Sequence, residues 1–234
     1  MSCRVAMLRM EKDGHLILPS PKTKHTKPYK RIRTLWATEQ AEITKNAGDF
    51  KLELEIVTSR TGALWNEFID RYHYLGYKTL PGAQLRYFVK ADGQLLALLG
   101  FGAAAWTTAP RDNFIGWDRS ARKKNLHLIV NNARFLILPW VRSKNLGSKI
   151  LSLASKRICA DWQAQYNYCP VLLETFVEKQ RFQGTCYKAA NWQEVGDTRG
   201  MGKLGSKDGD VPIKSVWLYP LCRDFRARLS GVAQ

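Results

Sequence analysis

The sequence predicts an α+β fold: a mixed sheet built on a central parallel β-α-β unit and preceded by a basic N-terminal arm. Three observations predict it. A long stretch of helical period, Asn145 to Tyr166, stands between two apolar stretches, Leu126 to Leu138 and Val171 to Val177. Two alternating segments flank Ala91-Asp92-Gly93 in the manner of an antiparallel hairpin. The net charge of +17 is also unevenly spread, with +7 in residues 1–35, −1 in residues 36–105 and +11 in residues 106–234.

A chain of 234 residues suits one substantial domain with a small appendage. Hydrophobic content of 45% with 11% aromatics excludes a wholly disordered chain. The longest apolar stretch, Leu95 to Trp106, is too short and too rich in glycine to cross a bilayer, so no membrane partner is expected. Arg4, Arg9, Glu11, Lys12 and Asp13 interrupt any secretory signal, which makes a cytoplasmic location the expectation. Five cysteines, odd in number and without a C-x-x-C, indicate neither a disulfide framework nor a zinc knuckle.

Residues 1–50 read as arm and linker. Val5, Met7, Leu8 and Met10 suit a short helix, and His15 to Pro19 an extended strand, together resembling the end of a winged helix. Pro19, Pro21 and Pro28 then interleave with Lys22, Lys24, Lys27, Lys30, Arg31 and Arg33 in a cationic linker that either stays a flexible tail or touches nucleic acid. The body spans residues 51–222. Leu52, Leu54 and Ile56 alternate with acids in a half-wet strand, and Ser59 is placed to cap a helix ending near Tyr72. The hairpin Leu85–Lys90 and Gln94–Phe101 follows, then a loop at Pro110 and a strand to Leu138 with a bulge at Asn131-Asn132. The long helix carries Ile150, Leu151, Ala154, Ile158 and Trp162 on its apolar side. Val171 to Val177 is almost continuously apolar, the pattern of a strand covered on both faces, so the crossover is expected to be right-handed and the strands parallel. A short helix over Cys186–Asn191 and two strands, Trp192–Val195 and Ser215–Tyr219, flank a loop with Gly200, Gly202, Gly205 and Gly209. Residues 223–234 read as a tail.

This order resembles the GNAT acyltransferase fold, whose two central parallel strands splay apart. The resemblance implies a pyrophosphate-cradling turn before the long helix. Arg142, Asn145 and Gly147 stand there, with Asn145 in place of a glycine, so coenzyme A is one cofactor candidate. Six ordered motifs are similar to another family: Tyr72–Gly76 (YHYLG), Arg111–Trp117 (RDNFIGW), Asn132–Trp140 (NARFLILPW), Asn145–Ser148 (NLGS), Leu173–Phe176 (LETF) and Gly184–Trp192 (GTCYKAANW). They resemble the DruA family of Druantia anti-phage systems and its relatives on transposable elements. The resemblance implies phage defence or a mobile-element role, a DNA-related substrate, and no settled catalytic residues.

Four side chains are candidates for chemistry. Glu174 interrupts an apolar strand and must be paired or protonated; it is either an ion-pair partner of Arg134 or a general base or metal ligand. Asp112, read in a loop, is either a turn former beside Arg111 or a solvated carboxylate for a divalent metal or a proton. His73 is a helix cap or a proton-transfer group. Tyr187 is the general acid that the acyltransferase resemblance implies, and Cys186 beside it starts a helix whose N-terminus could lower its thiol pKa. The basic and aromatic residues Arg111, Trp117, Arg122, Lys123, Lys124, Arg142 and Lys144, with Trp106, Trp140 and Trp192 near them, suit a nucleic-acid surface, DNA before RNA. Three functions follow: a DruA-like protein acting on nucleic acid, an acyl- or aminoacyltransferase, and a non-catalytic DNA-recognition subunit for a helicase or transposase.

Overall fold

The computed structural model describes residues 3–19, 33–200 and 211–231. Lys22, Lys24, Lys27, Lys30 and Arg31 lie outside the described residues, as do Gly202, Gly205 and Gly209. The chain forms two compact units, residues 1–31 and 32–234.

In the first unit α1 (Cys3–Lys12) is the expected helix. The expected strand at His15–Pro19 is absent. Asp13-Gly14 turns the chain back, and the Leu18 amide donates to the Glu11 carboxylate of α1 (3.0 Å). Among the described residues no strand pairs with this segment, so the resemblance to a winged helix finds no support there.

The second unit runs β1 (Ile43–Thr44), β2 (Glu53–Ile56), α2 (Gly62–Tyr72), β3 (Gln84–Ala91), β4 (Gln94–Ala103), α3 (Ala109–Ile115), α4 (Arg119–Asn125), β5 (Ile129–Ile137), β6 (Val141–Arg142), α5 (Leu146–Tyr166), β7 (Leu172–Glu178), α6 (Thr185–Ala189), β8 (Gln193–Asp197), β9 (Lys214–Pro220) and α7 (Phe225–Ser230). The main sheet has the order β2-β3-β4-β5-β7-β9-β8, and β1 pairs separately with β6. All neighbours in the main sheet are antiparallel except β5 and β7, which are parallel. The predicted β-α-β unit is therefore β5-α5-β7. Asp92 and Gly93, both at positive φ, close the hairpin as two-residue turns demand. The predicted bulge falls on β5, where Gly100 faces Arg134 and Phe101 faces Asn132, leaving Ala133 unopposed.

Successive strand residues point to opposite faces, and that places the helices. Arg86 donates to Asn66 of α2 (2.8 Å), while the next residue, Tyr87, donates to Asp161 of α5 (3.0 Å). Helices α2 and α5 thus cover opposite faces, and β4 between them is buried from Leu96 to Gly102. A second apolar cluster joins Ile115, Trp117, Phe225 and Leu229 to Ile129, Leu172, Val216 and Leu218.

Several sequence expectations are corrected. The α2 helix is not capped by Ser59: Thr61 precedes it and exchanges hydrogen bonds with Thr58. The region expected as a loop at Pro110 is helix α3, with the proline in its first turn, where the missing N–H costs nothing. Packing also extends past both ends of the 51–222 body. Phe225 and Leu229 of α7 are buried, and so are Ala37, Ala47 and Phe50. Lys149 of α5 holds that earlier segment, donating to the carbonyls of Ala47 and Phe50 (both 2.7 Å).

Glu67 of α2 fixes the same segment near Thr34. It is 1% exposed and accepts from the Thr34 amide (2.6 Å) and hydroxyl (2.8 Å), and it pairs with Arg71 (2.8 Å). Burial by itself raises the carboxyl, but the Thr34 bonds and Arg71 outweigh it and hold it below its ordinary value. A depressed acid stabilises the fold fully above about pH 4.5 and loses that contribution as pH falls through its lower folded-state value. Melting temperature should therefore fall more steeply with acidification in the wild type than in Glu67→Gln, which has no such proton to gain. Parallel acid limbs would contradict this assignment.

Candidate functional site

Strands β5 and β7 pair only from Ile129 to Asn131 and from Leu172 to Glu174. Beyond that point they part, and their facing backbone edges border a cleft of about 490 Å³. Its lining comes from the end of α2 (Tyr72 to Leu75), from β5, from Thr175 to Val177 of β7, and from Phe182 to Tyr187. Open α/β sheets bind ligands beyond the carboxyl ends of their parallel strands, which by sequence points past Leu138 and Phe176; the cleft instead opens earlier, from Asn132 and Thr175 onward.

Two of the four candidate chemical residues reach it. His73 caps α2, and the Leu75 amide donates to its Nδ1 (3.2 Å). Burial first, and then the positive charge of Arg134, pulls the ring down to about 4. The ring is neutral near pH 7. Its Nδ1 accepts, so the proton sits on Nε2 and the free side of the ring is a donor. His73 is therefore expected to present an Nε2–H tautomer in nitrogen NMR down to about pH 5. Because the folded value is depressed, protonation favours unfolding, so stability should be complete above about pH 6.5 and decline towards the folded value. A His73 midpoint in the ordinary histidine range would contradict this.

Tyr187 is buried, and its hydroxyl donates to Asn132 Oδ1 (2.8 Å). Thr175 Oγ1 donates to the Asn132 carbonyl (3.0 Å) and lies 3.5 Å from the Tyr187 hydroxyl. Burial pushes the phenol well above its ordinary value, so it keeps its proton. To act as an acid it must first release Asn132. Cys186 is not activated: burial raises its thiol more than backbone hydrogen bonds at the start of α6 lower it.

The other two candidates do not join them. Glu174 sits where the strands part, fully buried, and its partner is Arg111 (2.8 Å), not Arg134. Its second oxygen accepts from the Ala105 amide (2.7 Å), so both oxygens act as acceptors. Burial raises this carboxyl, and Arg111 and the Ala105 amide pull it back. Arg134 instead donates to the Ala133 carbonyl (2.7 Å) and stands beside His73 and Tyr74. Asp112 is not solvated. It accepts from Arg111 (2.9 and 3.0 Å), Trp117 (3.1 Å), Arg122 (3.0 Å) and the Thr108 amide (3.3 Å). Together these groups clamp α3 against β7 and offer no open coordination position. Among the described residues, no three His, Cys, Asp or Glu side chains converge to hold a metal.

The expected nucleic-acid residues divide in the same way. Arg111 and Trp117 are buried, at 0% and 9% exposure, and cannot meet a phosphate or a base. Arg122 is committed to Asp112. Trp140 and Trp192 are core residues, whereas Trp106 is exposed. Lys123, Lys124 and Lys144 are exposed, and Arg33 and Arg142 are exposed beside Asp70 and Glu42. Sequence reasoning assigned Arg134 to Glu174 and did not bring Tyr74 together with Phe182 at the cleft mouth. The signal was weak, because the two aromatics are more than a hundred residues apart.

Before α5, Asn145 adopts φ 65, the left-handed turn that its side chain tolerates. A Cβ on Gly147 would stand 3.1 Å from Cys186 Cβ, so this glycine lets α5 approach α6.

A mixed sheet with one splayed parallel pair, a long crossover helix and a cleft between the parted strands is a GNAT-like α+β scaffold. The chain belongs to the family of the Druantia protein DruA, whose family model matches residues 9–211. No curated protein shows a match. Solved structures similar to it include a polyamine N-acetyltransferase of Drosophila melanogaster, at 11% identity and TM-score 0.45, covering 73% of this chain and 100% of that one. Aminoglycoside acetyltransferase AAC(6')-Ib in complex with coenzyme A is similar at 14% identity and TM-score 0.46, over 76% of this chain and 98% of that one. The ribosomal-protein-S18-alanine N-acetyltransferase from Escherichia coli is similar at 8% identity and TM-score 0.45, over 73% and 94%. No described helix is long and apolar enough to cross a membrane.

Proposed function

We propose that the protein acts on nucleic acid, DNA before RNA, in phage defence or in the service of a mobile element, and that it holds its substrate at the cleft between β5 and β7. The observation that carries this reading is membership of the DruA family across residues 9–211. The charge of +17 supports it, because Lys and Arg neutralise phosphates and release counterions. Exposed Lys123 and Lys124 at the end of α4 and Lys144 before α5 are free to make such contacts. In the cleft, neutral His73 offers a donor, and Tyr187 and Asn132 fix the geometry of its floor. Those groups bind and orient. A helicase or transposase would supply any motor or strand-transfer step.

Binding of the full chain to a labelled single-stranded DNA should weaken steeply as salt is raised. Lys123→Glu with Lys124→Glu should lower the slope of log affinity against log salt by about 1.5. A wild-type slope near zero would overturn the reading.

A second reading, acyl transfer, is favoured by one observation, the left-handed turn at Asn145 before α5. The first amides of α5 have no helical acceptor, and Lys144 beside them is exposed, so this turn fits a pyrophosphate. Coenzyme A would bring an activated acyl thioester there. Gly147→Val is a poor probe, since a side chain would collide with Cys186. The wild-type protein is the cleaner test, and a saturable thermal shift at micromolar coenzyme A would promote this reading.

A further inference from the structure

We infer that the cleft takes a single unstacked nucleobase, with Tyr74 and Phe182 as its stacking surface and the His73 Nε2–H as a donor to its edge; the inference rests on the nucleic-acid reading above. Tyr74 follows α2 and Phe182 follows β7, and their rings meet with centroids 5.3 Å apart. Both line the cleft, and both are exposed, Tyr74 at 38% and Phe182 at 49%. Exposed aromatic rings cost solvation unless something covers them, and two that converge from distant loops make a prepared surface. His73 stacks on Tyr74 at 4.9 Å, and the Arg181 guanidinium lies 5.3 Å from the Tyr74 ring centre, so that ring is held in place.

The rest of the site selects the ligand. A planar heterocycle satisfies the rings, and its polar edge needs donors and acceptors. His73 Nε2–H is one donor, and the backbone edges of β5 and β7 beyond Asn131 and Glu174 lack a strand partner across the cleft. A wholly apolar ligand would leave the His73 donor and the strand edges unmatched. A volume of about 490 Å³ lies within the range of small-ligand pockets, roughly 300–1,000 Å³, and holds one nucleotide unit rather than a duplex. Duplex DNA would therefore have to present the base out of its stack.

The test uses the full chain and two single-stranded oligonucleotides of equal length and charge, one with bases throughout and one abasic throughout. The wild type should bind the base-bearing strand at least about ten-fold more tightly. Tyr74→Ala with Phe182→Ala should remove most of that preference and leave abasic binding unchanged, and Tyr74→Phe should retain it. Unchanged melting temperatures would show that the variants fold, and both rings are exposed enough for that to be expected. Equal binding of the two strands by the wild type would overturn the nucleobase site while leaving the nucleic-acid reading intact, as would a loss in the double variant that is equal on both strands. Failure to bind either strand would overturn both.

Discussion

Replacing Arg111 with methionine should cost the fold about 3–5 kcal/mol, the largest loss expected from a single side chain here. Arg111 is fully buried and donates to Glu174 (2.8 Å), to the Ala105 carbonyl (2.7 Å) and to Asp112 (2.9 Å). Its removal leaves Glu174 as an unpaired anion in a dry site. Glu174→Gln should cost a similar amount for the reverse reason, and the double substitution should cost clearly less than the sum of the two. Urea denaturation of the four proteins measures all three terms. Additive losses would show that the pair is not coupled. The same geometry reverses an expectation about Asp112. As an exposed loop carboxylate it could have been lost without affecting stability, but with Arg111, Arg122 and Trp117 bonded to it, Asp112→Asn should melt early.

Gly184→Ala is expected to be nearly as damaging, at about 3 kcal/mol. A methyl group there would lie 2.6 Å from Trp217 Cζ2 and 2.7 Å from its Cε2. The indole cannot retreat easily, because Trp217 is buried and its Nε1 donates to Ser215 (2.9 Å). Overpacking of this kind costs about 1–3 kcal/mol, and the φ of 70° adds about 1–2 kcal/mol for any L side chain. Gly116→Ala is the control. Its φ is 78° but nothing lies within 4 Å, so it should lose only the backbone part. If thermal melts show equal losses, contact with Trp217 is not the cause.

These two cases show where the sequence was informative. Patterns set by local period were legible: the β3–β4 hairpin, the α5 helix and the apolar β7 strand each depend on neighbours in the chain. Even the bulge on β5 was signalled by Asn131-Asn132. Partner choice across the sheet was not legible. On paper Arg134, on the neighbouring strand, is the natural mate for Glu174, and the actual choice of Arg111 depends on α3 forming a helix rather than a loop. Its signals, one proline and a Gly116 stop, surround only seven residues. Burial of Trp117, Trp140 and Trp192 was hidden for a similar reason, since loop position in sequence says nothing about what packs over it. The cysteines carry no pairing motif, yet the Cys169 thiol donates to the Cys159 carbonyl (3.6 Å) because α5 and the following turn fold together. In the cleft, His73 and Tyr187 were found from their motifs, whereas Tyr74 and Phe182 required the tertiary structure.

The central claim is that nucleic acid is held at the cleft between β5 and β7, and photocrosslinking tests it most directly. A single-stranded DNA carrying 4-thiothymidine would be bound to the full chain at low salt, irradiated, digested and mapped by mass spectrometry. Adducts on Tyr74, Phe182 or the strand residues beside them are the predicted result. Efficient crosslinking confined to residues 20–32, with none at the cleft, would contradict the claim.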